Sequence, residues 1–233
     1  MFANFKKMIL DFPTEYVSCE GFGTPGSGKS YICSQLSSYL STDIEVSYHS
    51  IDNYPSNFII RSFVKLFLIF RFLLFDFKLI VACFNVLRCF KDLSFKNEVK
   101  LFFNLLLVSS VILSNNNKKS ISVLDQGVIQ SFWSFFYYNK LRFNSDDIGH
   151  LVKALCSLID TLPLSRLIVL NLCVDNSVIL KRLASRKLSG TSPLNSLMAE
   201  DLLKGIYSTN ICRLVLCEAS KATDKIVVFD YEN

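Results

Sequence analysis

The chain has 233 residues, 51% of them hydrophobic and 19% charged, with a net charge of +5. That length suits one domain with a sizeable core, or one domain carrying an inserted helical piece, and the composition excludes a disordered chain. Eight cysteines stand in apolar stretches without a CxxC pair, and only two histidines are available to complete a metal site, so the cysteines read as reduced, buried core residues.

The opening stretch "MFANFKKMILDFPTEY" has two lysines but no apolar run of signal-peptide length and no small-residue cleavage site, so a cytoplasmic protein is expected. "EYVSCEGF" then reads as a strand, and "KSYICSQLSSYLS" places Ile32, Leu36, Tyr39 and Leu40 at helical spacing. Between them lies Gly23-Thr24-Pro25-Gly26-Ser27-Gly28-Lys29-Ser30, a full match to GxxxxGK[ST] in the strand–loop–helix setting that this motif requires. Gly23, Gly26, Ser27 and Gly28 let backbone N–H groups turn inward around an anion. Lys29 reaches the outer phosphates and the Ser30 hydroxyl ligates Mg²⁺. ATP with Mg²⁺ is the expected cofactor.

"IEVSYHS" reads as a second strand. From 56 to 113 the rhythm breaks: this piece is rich in phenylalanine and carries eight Lys or Arg against three Asp or Glu, a surplus equal to the net charge of the chain. No uncharged run in it reaches the roughly 18 to 20 residues that span a bilayer. A helical insert is expected, either packed over the sheet or, through 58–107, in peripheral contact with a membrane.

"SNNNKK" forms a polar break before "ISVLD" (121–125), a buried strand ending in Asp125. "DDIGHLVKALCSLID" reads as a helix capped by Asn144 or Ser145, "RLIVLNLCV" (166–174) as a strand, and "NSVILKRLASRK" as a helix with Asp175 as N-cap. "RKLSGTSPLNS" (186–196) is a flexible stretch in which Gly190 and Pro193 break helix, and "KIVVF" (225–229) closes the series. Strands apolar on both faces and alternating with helices predict an α/β fold of three layers, with about five parallel strands and helices on both faces.

"CEGFGTPGSGKS", "VLDQGVIQSFW" and "LIVLNLCVDNSVILKRLASRK" together resemble the P-loop nucleoside and nucleotide monophosphate kinases, thymidylate kinase-like proteins in particular. The resemblance implies one P-loop kinase-like domain over 1–233, with the helical insert at about 56–113 and a lid-like segment at about 182–196. It further implies that Asp125 coordinates Mg²⁺ through water or orients the acceptor oxygen, the alternative being a helix N-cap. By the same likeness Arg182 and Arg186, four apart on one helix face, grip the transferring phosphate, the alternative being a solvated basic face.

Two departures bear on the acceptor. Where thymidylate kinases have arginine after the aspartate, this chain has Gln126, and the loop has Thr24-Pro25 where the family places an acidic residue. An anionic acceptor therefore loses a clamp, and Gln126 and Gln130 are candidates to hydrogen-bond a base, a sugar or another uncharged group. There is no NKxD motif for guanine, and the chain is short for a motor or transporter ATPase. The expected activity is ATP-dependent phosphotransfer to a small-molecule acceptor. A regulatory or assembly ATPase, whose insert meets a membrane or a partner, stays open beside it. A homodimer is compatible with either, and no nucleic-acid partner is expected.

Overall fold

The structure, a computed structural model, describes residues 6–7, 16–49, 67, 70, 77–115, 121–139, 143–189 and 199–232. The first part of the expected insert, residues 116–119 of the polar break, and the Gly190 and Pro193 breakers lie outside these residues.

Five strands form one parallel sheet in the order β2-β3-β1-β4-β5. They are β1 (Val17–Phe22), β2 (Val46–His49), β3 (Ile121–Leu124), β4 (Arg166–Cys173) and β5 (Ile226–Glu232). Every residue of β1 and β3 is buried, as expected for parallel strands covered on both faces. β1 lies at the centre, with Cys19 in register with Val123 of β3 and Ile168 of β4. The chain moves outward to β2, returns through β3, and crosses β1 to reach β4. In open sheets of this kind, ligands collect at the carboxyl ends of the strands where the order reverses, which here is the end of β1.

Strand side chains alternate between two cores. Val17, Cys19, Ile121, Val123, Ile168 and Leu170 pack with Ile32, Leu36 and Leu40 of α1 (Lys29–Leu40). Tyr39, placed on that apolar face by spacing alone, turns outward instead at 37% exposure. Phe22, Leu124, Leu167, Val169 and Ile226 point the other way. They meet a much larger cluster built from α2 (Phe77–Arg88), α3 (Phe95–Asn115), α4 (Val128–Tyr138), α5 (Ser145–Thr161) and α7 (Ala199–Ala222). Between β4 and α7 the chain forms α6 (Asn176–Ser189). The α/β architecture with helices on both faces is as the sequence predicts.

Local signals set the element ends. Asn144 and Asp147 form a reciprocal capping box at α5, each side chain accepting from the other's backbone N–H at 2.9 Å. Asp175 Oδ1 accepts from Ser177 N at 2.7 Å at the entry to α6. All eight cysteines are free, and Cys19, Cys33, Cys83 and Cys212 are buried. The other four depart from the expected burial: Cys89, Cys156 and Cys173 are half-buried and Cys217, on α7, is exposed. Among the described residues no helix is long and apolar enough to cross a membrane.

Candidate phosphate-binding site

The turn from β1 into α1 is shaped by its glycines. Gly26 and Gly28 take φ values of 89° and 96°, the left-handed region that side chains resist. A β-carbon at Gly23 would press on Ser27 Oγ at 2.8 Å and on the Leu172 carbonyl at 3.1 Å. Gly28 is the N-cap of α1 and supplies no side-chain acceptor, and the first turn holds no acidic residue. The first N–H groups of α1 thus open onto the loop with the positive end of the helix dipole, a setting that favours an anion. Lys29 arches over the loop, its Nζ donating to the carbonyls of Gly23 at 2.9 Å and Thr24 at 3.3 Å. Ser30 follows at an exposed position, where its hydroxyl is accessible.

α6 covers this loop from β4. Arg182 donates from Nη1 to the Ser27 carbonyl at 3.0 Å, and Ile179 and Leu183 pack beside Gly26. Arg182 is therefore a loop contact and not part of a solvated face. Arg186 lies one turn further along α6, and its side chain is outside those described.

Asp125 follows β3 directly, next to the loop strand, and is only 4% exposed. The N-cap of α4 is Gly127, two residues later, so Asp125 does not fill the capping role. Cys33 of α1 is buried beside the end of β3, its Sγ donating to the Leu124 carbonyl at 3.5 Å. Burial first, then the negative charge of Asp125, push this thiol up to about 12, while Lys29 acts in the opposite sense. Gln126 is exposed, and Gln130 is buried on the first turn of α4 with its Oε1 unpartnered among the described residues.

Two contributors escape a reading by motif. Glu20, on β1 one residue before the glycine-rich stretch, is 1% exposed. Its Oε1 accepts from Ile129 N at 2.9 Å and the Val128 N–H also points to it, so it satisfies the open N-terminus of α4 that glycine leaves uncapped. Burial pushes this carboxyl up from 4.5 to about 8, against the pull of those two N–H groups. The second contributor is α7, whose Gly205, Thr209 and Arg213 recur every four residues along one face. Thr209 meets Thr24, and Arg213 donates to the Leu172 carbonyl at 2.9 Å and to Asn171 Oδ1 at 2.8 Å. The sequence signal was available: a stripe of small and polar residues at helical spacing inside a hydrophobic chain.

No family model matches the chain and no curated protein matches its sequence. Among solved structures, it is similar to deoxyadenosine kinase from M. mycoides with bound dATP. The match has a TM-score of 0.50 and 14% identity, and covers 93% of this chain and 90% of that one. The two share one fold, which here is a five-stranded parallel sheet with helices on both faces.

Proposed function

We propose that the protein is an ATP-dependent phosphotransferase that carries the γ-phosphate of ATP to a small hydroxyl-bearing acceptor of the nucleoside or nucleotide class. One observation carries the reading: the open N-terminus of α1, Lys29 and the Arg182-bound loop meet at the carboxyl end of β1, and Asp125 stands at the end of the adjacent strand. Phosphoryl transfer demands mostly positioning and charge neutralisation, and this arrangement offers both.

The roles divide by position. Gly23, Gly26, Ser27 and Gly28 cradle the phosphates and Lys29 neutralises the outer ones. Arg182, with Arg186 a turn beyond it, belongs to the lid-like side. Asp125 orients the acceptor hydroxyl. Mg²⁺ fits as a partner of the nucleotide: the Ser30 hydroxyl and the Asp125 carboxylate are hard oxygen donors, the kind this ion takes. Mg²⁺ commonly keeps several waters and is bound through one or two protein oxygens plus substrate phosphates, so Ser30 and Asp125 would suffice to hold it. Held there, the ion would supply neutralisation of phosphate charge.

Gln126 and Gln130 favour an acceptor that presents hydrogen-bonding groups at this end over one that presents a second phosphate. The buried Gln130 Oε1 supports this, since an unpartnered amide oxygen invites a donor such as a hydroxyl or an exocyclic amine. The dATP-bound deoxyadenosine kinase points the same way, toward a nucleoside in place of a thymidylate-type acceptor. ADP release from ATP in the presence of individual nucleosides, nucleotides and sugars tests the reading.

A second reading rests on the insert. Phe77, Val81 and Phe84 on α2, and Phe95, Val99 and Phe103 on α3, are all exposed, with Phe77 at 75% and Phe95 at 80%. Lys78, Arg88, Lys96 and Lys100 lie among them, a pairing of rings and cations suited to an anionic membrane surface. In this reading the insert docks a nucleotide-dependent assembly protein to a membrane or to a second copy, and the protein is cytoplasmic with a peripheral membrane contact.

A further inference from the structure

Thr24 stands in the phosphate loop where the resembling kinases carry an acidic side chain, yet it is only 5% exposed. Its hydroxyl points back into the protein, to Thr209 Oγ1 at 3.4 Å on the fully buried face of α7. Thr209 is shared. Its oxygen accepts from the indole Nε1 of Trp133 at 3.0 Å and its own proton goes to the Gly205 carbonyl at 2.8 Å. One donor and two acceptor positions are all that a hydroxyl has, and all three are used. Apolar contacts run alongside: a β-carbon at Gly205 would lie 3.8 Å from Pro25 Cδ and 3.9 Å from Trp133.

Trp133 sits on α4 one turn beyond Gln130, and α4 follows directly from Asp125 and Gln126. The Thr24 backbone is engaged on its other side, its carbonyl accepting from Ser27 N at 3.0 Å and from Lys29 Nζ. Both of those donors belong to the loop that would wrap a phosphate. A phosphate drawing them inward must act on Thr24, whose side chain is held by Thr209.

We infer that Thr209 is a positioning residue whose hydroxyl ties the phosphate loop to the helix bearing Gln130, so that occupation of the loop is transmitted to the acceptor side. The inference rests on the nucleotide-binding reading above and adds a coupling between its two sides. Valine at 209 matches threonine in shape but strands the Trp133 N–H and the Thr24 hydroxyl in a buried place, whereas serine keeps the shared oxygen.

Trp133 is the single tryptophan of the chain, so its emission reports this junction alone. Mg·ATP is titrated into the wild type, Thr209→Val and Thr209→Ser, following tryptophan emission and, in parallel, heat of binding. The wild type and Thr209→Ser should show a saturable emission change at the calorimetric affinity. Thr209→Val should keep the far-UV circular dichroism of the wild type, bind about five- to tenfold more weakly, and lose the emission change. If Thr209→Val fails to fold, Thr24→Val severs the loop end of the same junction and should likewise lose the emission change. An emission change of wild-type size and affinity in the folded valine variant overturns the coupling. Calorimetric binding to the wild type with silent tryptophan overturns it too while leaving the nucleotide-binding reading intact, and absence of any ATP binding removes both.

Discussion

Glu20 and Gly127 fit one another as carboxylate and hollow: the Glu20 Oε2 occupies the space that any β-carbon at position 127 would enter. The strand before the phosphate loop and the helix after Asp125 are thereby pressed together, with Ile129 N donating to the same carboxyl group. Gly127→Ala should force these apart and cost several kcal/mol, as overpacking a buried, hydrogen-bonded site does. Thermal melts of the variant check this, and a melt within about 1 °C of the wild type would show that the backbone there yields freely.

The same carboxyl gives the protein a pH signature. Its value in the folded chain, pushed up to about 8, lies above the ordinary 4.5, so the folded state holds the proton where the unfolded chain has lost it. Stability from this group is complete below about 4.5 and declines as pH rises to about 8, at up to about 1.4 kcal/mol per pH unit. Glu20→Gln, which resembles the protonated acid, should flatten that slope and melt higher than the wild type at pH 8. Parallel slopes in urea melts from pH 5 to 8 would assign the pH dependence to other groups.

Lys29→Ala removes the ammonium that spans the loop at Gly23 and Thr24. Loss of a charge-assisted contact to phosphate should cost about 1.5 to 3 kcal/mol, roughly ten- to a hundredfold in ATP affinity or turnover. Isothermal titration with Mg·ATP reads the affinity. Values equal to the wild type in both affinity and turnover would place the nucleotide elsewhere.

The exposed rings of the insert make a separate claim. Phe77, Phe84 and Phe95 with the lysines among them should bring the protein to anionic vesicles and not to neutral ones, with binding that fades as salt is raised. Flotation with phosphatidylserine-containing liposomes, comparing the wild type with a Phe77→Ser, Phe84→Ser and Phe95→Ser variant, decides it. A protein that stays at the bottom of the gradient at low salt gives these rings no membrane role.

Much of this was legible in the sequence, because the signals were local. GxxxxGK[ST] between a strand and a helix fixes backbone conformation at Gly26 and Gly28, and the doubly apolar runs fix a parallel sheet with Asp125 beside the loop strand. Asn144 and Asp175 announced helix starts through side-chain chemistry that acts over two or three residues. What stayed hidden depends on contacts between distant segments. Glu20 caps a helix more than a hundred residues away, and its partner positions carry no side chain that would betray it. Thr24 looked like a departure within the loop, and only the packing of α7 shows that its hydroxyl serves Thr209. Arg182 could have been a solvated residue until α6 was seen lying on the loop at Ser27.

Asp125 is the residue on which the central claim turns: a binding protein could keep the phosphate loop and a carboxylate beside the metal, but only a transferase couples ADP formation to an acceptor. Rapid-quench measurement of ADP and phosphorylated product from Mg·ATP and a panel of nucleosides, in wild type and Asp125→Asn, tests this most directly. The account predicts acceptor-dependent ADP with matching product in the wild type, and a loss of about a hundredfold or more in the variant with ATP affinity nearly unchanged. ATP binding without acceptor-dependent ADP in the wild type, or full transfer by Asp125→Asn, would contradict it.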